Sequence, residues 1–323
     1  MTAAGKRMDG HPVSIREEFG KSLVRLGERY PRVVVLDADI AHPARLHHFA
    51  QRFPDRFFQI GVAEQNMVGI AAGLALAGLV PFAVTFAVFA ARRAADQVAI
   101  SCAYAQTNVK ILGCYCGLTT AKTGATHQSV EDLAIMRSMP NMRVIAPADP
   151  LEVEQCLFLL AEQTGPFYLR IPRSDSPILF GADYRFELGR AVTLREGTDL
   201  CFVSTGIMAA PCLEAAAALE AEGVRAGVLH VPTLKPLDGP AIARAARDTG
   251  ALVSAENHSV IGGLGGAVSE LLAASCPTAL EMVGIRDRWG TSGSFADLME
   301  EYELTPGHLV AAAKRVLRRK EGR

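Results

Sequence analysis

The chain has 323 residues, about twice the length of a typical single domain, and this predicts two compact domains. Half of its residues are hydrophobic and 21% are charged, a composition that excludes a disordered or fibrous protein. The 33 Lys and Arg residues against 34 Asp and Glu residues give a net charge of −1. Duplex nucleic acid is therefore not expected as a partner, because it binds to strongly basic surfaces.

Cysteine usage and hydropathy bear on the cellular location. The seven cysteines are an odd number without a CxxC pair, and the start of the chain resembles no secretory signal, so we expect reduced thiols in the cytoplasm. Residues 67–91 carry no charge and are long enough to cross a bilayer. Gly78 and Pro81 divide this stretch into a helix pattern and a strand pattern, which favours a buried helix and strand and no membrane segment.

The first half of the chain alternates β-branched runs with helical periodicity. In chain order the predicted elements are a helix at 14–29, strands at 32–36 and 57–60, a helix at 64–77, a strand at 80–85, a helix at 92–105, a strand at 109–114, a helix at 130–139, a strand at 143–145, a helix at 150–162 and a strand at 167–170. This alternation predicts an α/β fold, with a doubly wound parallel sheet in a first domain over residues 1–178.

A second alternation follows a region without periodicity. That region contains Ser174, Pro177 and Gly181, and we expect a linker at 179–196. The later predicted elements are strands at 200–204, 225–230, 251–255 and 279–283, with helices at 208–222, 241–248, 265–274 and 305–320. These elements predict a smaller α/β domain over residues 197–323.

Glu64 lies in a polar patch between a strand pattern and an Ala/Gly-rich helix pattern. A carboxylate in the first turn of a helix is commonly a surface group that complements the helix dipole. Glu64, however, follows the carboxyl end of a predicted strand, where open α/β sheets place their ligand crevice. Because the helix after it is too apolar for a solvated surface, we expect Glu64 at a packed interface.

Three aromatic residues follow neighbouring strand ends. Phe86 and Phe89 come after the strand at 80–85, and His127 ends the loop after the strand at 109–114. Taken singly, the phenylalanines are typical of a core and the histidine of a structural residue. Together with Glu64, aromatic faces indicate a place for a flat heterocycle whose ring nitrogen meets the carboxylate. A histidine on such a loop is also a candidate for proton transfer.

Seven segments in this order resemble the transketolase family. They are FQIGVAEQNM at 58–67, PFAVTFAVF at 81–89, GATHQ at 124–128, IAPAD at 145–149, LRIPR at 169–173, TLKPLD at 233–238 and ENHSVIGGLG at 256–265. The first five are similar to the family's pyrimidine-binding domain, and the last two are similar to its carboxyl-terminal domain. The resemblance extends over nearly the whole chain.

The resemblance implies thiamine diphosphate as cofactor, and transfer of a two-carbon ketol unit from a ketose to an aldose. It implies two catalytic residues. Glu64 would hydrogen-bond the aminopyrimidine ring and favour its imino tautomer, which takes the proton from the reactive thiazolium carbon. His127 matches a substrate-contacting histidine that exchanges protons with hydroxyl groups of the donor or acceptor.

The resemblance also implies binding residues. Those that match cofactor contacts, besides Glu64, are Asp39, Phe86, Phe89 and Arg92. Arg93 is a neighbouring alternative to Arg92. Arg16 and Arg173 match two phosphate-contacting arginines, and a guanidinium fork suits a sugar phosphate.

One family motif is missing from this chain. Thiamine diphosphate enzymes hold the diphosphate through Mg²⁺ or Ca²⁺ on a Gly-Asp-Gly turn, and the sequence contains no such turn. A buried diphosphate needs a metal or a basic cradle. The run 262–266 lacks a nearby Lys-Ser/Thr pair and an acidic ligand, so it predicts a tight turn and no metal site. We therefore expect a separate amino-terminal subunit to hold the diphosphate and the metal, in a twofold heterotetramer.

Other positions depart from ordinary transketolases. Tyr115 replaces a phosphate-contacting histidine, Thr123 replaces an aspartate that recognises a donor hydroxyl, and Ala-His-Pro at 41–43 lies near the position of a phosphate-contacting serine. These differences leave the ketose, the aldose and the phosphorylation of the substrate open. Cys114 and Cys116 have no further metal ligands at a characteristic spacing, so we interpret them as packing thiols.

Two alternatives remain at the level of sequence. The chain could be the beta subunit of a 2-oxoacid dehydrogenase decarboxylase component, a family that shares the glutamate and the split arrangement but lacks the Thr-His-Gln pattern. It could also be a non-catalytic scaffold for its partner. The joint presence of Glu64, Phe86, Phe89 and His127 argues against a scaffold, which needs none of them.

Overall fold

The computed structural model describes residues 12–322, so the first eleven residues of the predicted first domain lie outside the described residues. The helices are α1 (Ile15–Arg29), α2 (His47–Arg52), α3 (Glu64–Leu76), α4 (Ala95–Gln97), α5 (Asp132–Ser138), α6 (Pro150–Glu162), α7 (Ala209–Ala221), α8 (Gly239–Thr249), α9 (Leu264–Ser275), α10 (Phe295–Glu301) and α11 (Pro306–Glu321). The strands are β1 (Val13–Ser14), β2 (Val33–Asp37), β3 (Phe57–Gln59), β4 (Val80–Phe86), β5 (Lys110–Cys114), β6 (Arg143–Ile145), β7 (Phe167–Ile171), β8 (Asp175–Ser176), β9 (Val192–Arg195), β10 (Leu200–Ser204), β11 (Ala226–His230), β12 (Thr233–Lys235), β13 (Ala251–Ser259) and β14 (Ala279–Ile285).

The first sheet has the order β12-β6-β7-β5-β4-β2-β3, and all its pairs are parallel except β12 with β6. The chain leaves β2 towards β3 on one side and returns to β4 on the other side. This reversal creates a topological switch point between β2 and β4, and α/β sheets bind ligands outside the carboxyl ends of such strands. The predicted α/β class with a parallel sheet is confirmed.

The second sheet has the order β14-β13-β10-β11-β9, with β9 antiparallel at its edge. The predicted linker at 179–196 connects the two sheets as packed structure, because β9 lies within it and Phe180 and Tyr184 are buried with the first core. Buried residues without periodicity give no signal in the sequence. The domain bounds 1–178 and 197–323 stay a prediction.

The segment predicted as a helix at 92–105 is irregular. It begins at Phe89 with a π-helical turn to Arg93, continues through α4 and ends in a second π-helical stretch, Val98–Tyr104. A π-helical turn holds an extra residue in a helix and occurs often at functional sites. Hydrophobic periodicity cannot reveal it, since the apolar residues still fall on one side.

The uncharged stretch 67–91 forms most of α3 and all of β4, as expected. Met67, Val68, Ala71 and Ala72 of α3 pack into the core, and the first six residues of β4 are buried. No helix within residues 12–322 is long and apolar enough to cross a membrane.

A buried ion pair ties the two domains together. The carboxylate of Asp132 on α5 accepts hydrogen bonds from Nε and Nη2 of Arg170 on β7, both at 2.7 Å, and from the hydroxyl of Tyr168 at 2.7 Å. Arg170 also donates to the carbonyl of Asn257 on β13, in the second sheet. Burial alone would raise the pKa of the Asp132 carboxyl, but Arg170 and these hydrogen bonds hold that pKa below its ordinary value.

Candidate active site

Glu64 is the first residue of α3 and lies at the switch point of the first sheet. Its side chain is only 1% exposed, and both of its carboxylate oxygens accept hydrogen bonds from Nη1 of Arg93, at 2.9 and 2.8 Å. The backbone turns into the helix through Gly61, whose φ of 81° favours glycine. The buried carboxylate therefore lies in a fixed position beside a cation.

Three aromatic rings group at the end of β4. The Phe86 and Phe89 centroids are 6.1 Å apart, and the His127 ring meets both edge-on, at 5.8 and 5.4 Å. The guanidinium of Arg93 lies 4.2 Å from the centroid of Phe89, so Glu64 and the aromatic group share one neighbour. Glu64, Phe86, Phe89 and His127, which are far apart in sequence, are thus brought to one place.

Arg92 and Arg93 point to different partners. Arg92 pairs with Glu131 and lies over the ring of Trp289, with 4.8 Å to the ring centroid. The contact with Glu64, which the resemblance assigns to the cofactor region, belongs to Arg93. The two arginines thus have different protein partners, and the cofactor contact of Arg92, with Arg93 as the alternative, stays a prediction.

Tyr115 links the two arginines expected to bind phosphate. Its hydroxyl accepts a hydrogen bond from Nη1 of Arg16 at 3.2 Å and donates to the carbonyl of Pro43 at 2.8 Å. Arg173 lies 5.2 Å from the Tyr115 centroid, and Phe86 lies 5.0 Å from it. Tyr115 has a φ of 61°, a conformation that L side chains rarely adopt and that concentrates at functional sites. Arg16 and Arg173 therefore flank one ring at the edge of the aromatic group.

Asp39 follows β2 with a φ of 64° and is exposed, and its backbone N–H donates to Oε1 of Gln59 at 3.1 Å. Asp37, two residues earlier, is buried and accepts hydrogen bonds from the N–H of Ile40 and from Nε2 of Gln59. The pKa of the Asp37 carboxyl is above its ordinary value, because the effect of burial is larger than the opposing effect of these hydrogen bonds. The turn after β2 is thus held by Asp37 and Gln59, and Asp39 is free to face a ligand.

The second domain holds the loop that carries His127. Nε2 of Gln128 donates to the carbonyl of Thr291 at 2.9 Å, and the hydroxyl of Ser292 donates to the carbonyl of Lys122 at 2.5 Å. The hydroxyl of Thr126 lies 2.9 Å from Nδ1 of His127. The domain junction therefore positions the histidine.

The glycine-rich run 262–266 has no room for a diphosphate. The N–H groups of Leu264 and Gly265, at the start of α9, donate to the two carboxylate oxygens of Glu256, each at 2.7 Å. A Cβ atom on Gly263 would lie 2.0 Å from this carboxylate. The run is the strand-to-helix turn that we predicted, and the protein's own acid occupies the anion-binding end of the helix.

The acidic, histidine and cysteine side chains of the described part of the chain are the candidates to share a metal ion. Across residues 12–322, no group of three or more of them is placed to hold a metal ion. Cys114 and Cys116 are buried, and burial raises the pKa of the Cys114 thiol well above its ordinary value and that of Cys116 to about 12. These thiols remain protonated near neutral pH, as expected of packing residues.

Thiol reactivity tests this assignment. We expect Ellman's reagent at pH 8 to modify Cys276, the one cysteine that is not fully buried, well before the other six. The remaining thiols should react only after denaturation. Rapid modification of Cys114 or Cys116 in the native protein would show that they are accessible and ionised.

The position of Trp289 and the grouping of His42 with two further histidines were not predicted. Trp289, the single tryptophan, reaches Arg92 from the second domain. The ring of His47 lies 5.0 Å from that of His42 and 4.1 Å from that of His48, centroid to centroid. The repeated histidines at 42, 47 and 48 are a visible signal in the sequence. The position of Trp289 depends on domain packing and leaves no such signal.

The site therefore combines a switch-point crevice, a buried carboxylate and three grouped aromatic rings. Residues 11–177 match the family described as "Transketolase, pyrimidine binding domain" and residues 189–309 match "Transketolase, C-terminal domain". The chain belongs to the transketolase family.

Individual relatives support this assignment. The chain is 42% identical over 309 residues to the 6-deoxy-6-sulfo-D-fructose transketolase subunit SqwH of Clostridium sp. (strain MSTE9), with 96% of each chain covered. It is 35% identical to an apulose-4-phosphate transketolase subunit of Phocaeicola vulgatus (strain ATCC 8482), covering 92% of this chain and 95% of that one. A solved structure described as a "Split gene transketolase, inactive beta4 tetramer" superposes with a TM-score of 0.87 at 45% identity, covering 95% of this chain and 99% of that one. The chain is a transketolase-family subunit.

Proposed function

We propose that this chain is the pyrimidine-binding subunit of a thiamine diphosphate-dependent transketolase that moves a two-carbon ketol unit from an anionic ketose to an aldose. The observation that carries the proposal is the buried carboxylate of Glu64 beside the rings of Phe86, Phe89 and His127. When bound, thiamine diphosphate supplies the carbon nucleophile and the electron sink for carbon–carbon cleavage.

These residues fit the pyrimidine end of the cofactor. Glu64 already accepts two hydrogen bonds from a flat cation, so its oxygens are oriented to meet N–H groups of a planar ring. Phe86 and Phe89 would pack on that ring. Glu64 would hold the proton at the ring nitrogen, and placing a proton donor or acceptor in this way is worth about 10²–10⁴-fold in rate.

His127 and the two arginines serve the substrate in this proposal. His127 would exchange protons with a substrate hydroxyl, because its ring lies edge-on beside both phenylalanines of the proposed cofactor site and its loop is fixed by the second domain. Arg16 and Arg173 would bind the anionic end of the sugar across the ring of Tyr115. The names of the two relatives contain a sulfonated sugar and a phosphorylated sugar, which supports an anionic donor.

Among the described residues the glycine-rich turn is a poor fit for the diphosphate end, and this supports a second subunit. The amides at the start of α9 are taken by Glu256, and the described residues hold no cluster of metal ligands. We therefore assign the diphosphate, and the Mg²⁺ or Ca²⁺ that binds it, to an amino-terminal partner. The thiols are unpaired, which agrees with a reducing cytoplasm.

The surface beside the site supports a twofold heterotetramer. Val62 just before α3, Leu76 at the end of α3, and Ile100 and Tyr104 on the π-helical stretch Val98–Tyr104 are large apolar side chains with 57–80% of their surface exposed. Apolar surface of this kind marks contact sites. The split-gene neighbour is described as an inactive tetramer of one subunit type, so we expect this chain alone to self-associate without activity.

The proposal is tested by mixing this chain with its diphosphate-binding subunit, thiamine diphosphate and Mg²⁺. Ketol transfer is then measured from phosphorylated, sulfonated and neutral ketoses to a set of aldoses. The proposal predicts transfer that requires both subunits and prefers an anionic donor. Decarboxylation of 2-oxoacids without ketol transfer, or no chemistry under any condition, would contradict it.

A further inference from the structure

Arg93 combines two contacts that are unusual for one side chain. Its guanidinium donates to both oxygens of the buried Glu64, and it stacks 4.2 Å from the centroid of Phe89. Under the proposed function, these are the same two partners that the cofactor's pyrimidine requires. A guanidinium is planar, cationic and rich in N–H donors, and it stacks on aromatic rings.

A buried carboxylate has a reason to hold such a partner before the cofactor arrives. Removing a charged carboxylate from water is costly unless it is paired and hydrogen-bonded. Glu64 is 1% exposed, and Arg93 is the cation that pairs with it. The pair therefore stabilises a site that would otherwise contain an isolated charge.

Arg93 is also placed so that it can leave. Its side chain is 41% exposed, so it can move into solvent without leaving a cavity in the core. It ends the π-helical turn Phe89–Arg93, in which the helical hydrogen-bond ladder is already interrupted. Arg92, one residue earlier, is in contrast fixed between Glu131 and Trp289.

We propose that Arg93 is an internal placeholder, which occupies the pyrimidine position on Glu64 and Phe89 in the cofactor-free subunit and is displaced when the cofactor binds. This inference rests on the proposed function and adds a residue that regulates loading of the site. Cofactor binding then exchanges one Glu64 partner for another. The observed affinity is the difference between the two interactions.

The test uses the assembled two-subunit protein and a titration of thiamine diphosphate by calorimetry in the presence of Mg²⁺. Arg93→Met removes the competing cation. We therefore expect the dissociation constant of thiamine diphosphate to be about fivefold to tenfold lower in this variant than in the wild type, the range that a partly exposed ion pair with two hydrogen bonds supports. Arg93→Lys keeps the charge but loses the planar fork. Its dissociation constant for thiamine diphosphate should lie between those of the wild type and Arg93→Met.

A second readout is the melting temperature of this chain without cofactor. Arg93→Met should lower this melting temperature, because Glu64 loses its partner. In the assembled protein, addition of the cofactor should raise the melting temperature of the Arg93→Met variant more than that of the wild type. Arg195→Met is the matched control, since it removes one positive charge and one ion pair with Glu220 in the second domain. It should change neither the affinity nor the cofactor-induced shift.

Two outcomes would overturn the placeholder. One is equal or weaker cofactor binding by Arg93→Met, and the other is a structure of the loaded complex in which Arg93 still pairs with Glu64. Glu64→Gln separates this failure from a failure of the proposed function. If Glu64→Gln is inactive and Arg93→Met binds no tighter, only the placeholder is wrong, whereas an active Glu64→Gln protein would refute both.

Discussion

Replacement of Glu64 by glutamine should lower ketol transfer in the assembled enzyme by about 10²–10⁴-fold, the range for a positioned acid or base. Glutamine has nearly the same shape and keeps one oxygen for Arg93, so the fold should survive. It cannot, however, hold or release a proton at the ring nitrogen of the cofactor. The rate of product formation at saturating cofactor measures the loss, and circular dichroism checks the fold.

A paired carboxylate outside the site provides the control for this substitution. Glu154 on α6 accepts a hydrogen bond from Arg25 at 2.6 Å and is part of the protein surface. Glu154→Gln should keep full activity because a surface ion pair contributes little. Equal activities of the Glu64 and Glu154 variants would mean that Glu64 has no part in the chemistry.

Replacement of Asp132 by asparagine should destabilise the chain by about 3–5 kcal/mol, because Arg170 keeps its buried charge without a counterion. The cost extends across the domain junction, since Arg170 also donates to the carbonyl of Asn257. The pKa of Asp132 is lowered in the fold, so its stabilisation is present above the ordinary value of 3.8 and is lost as the pH falls through the lowered value. Urea unfolding at neutral pH measures the change.

The exposed pair of Arg137 and Glu270 has similar geometry and serves as the comparison. Its two hydrogen bonds measure 2.8 and 2.7 Å, but the Glu270 side chain is 65% exposed. We expect Glu270→Gln to cost about 0–1 kcal/mol, as is usual for surface ion pairs. If both variants lose the same stability, burial is not what makes the Asp132 pair important.

Much of the fold could be predicted from the sequence because parallel strands are buried on both faces. Helix α3 and strand β4 follow from a continuous apolar run that Gly78 interrupts between them and in which Pro81 is the second residue of the strand, and the predicted bounds differ from the observed ones by one residue. Strand β12 could not be predicted. It lies in the second half of the chain yet pairs with β6 of the first sheet, and nothing local encodes this contact.

The sequence indicated that the site residues share one place at neighbouring strand ends, but it did not give their individual contacts. The family resemblance pointed to Glu64, Phe86, Phe89 and His127, and their contacts join α3, β4 and a distant loop. Whether Arg92 or Arg93 contacts Glu64 depends on the direction in which each leaves a π-helical turn. Sequence periodicity carries no information on that direction, so only the three-dimensional structure assigns Arg93 to Glu64.

In the proposed function this chain holds the pyrimidine end of the cofactor, and another polypeptide holds the diphosphate and the metal. Calorimetric titration of thiamine diphosphate with Mg²⁺ into this chain, into the diphosphate-binding subunit and into their mixture tests it most directly. We expect tight binding by the mixture alone, and weaker binding when the mixture contains the Glu64→Gln variant. Equally tight, metal-dependent binding by this chain without a partner would contradict it.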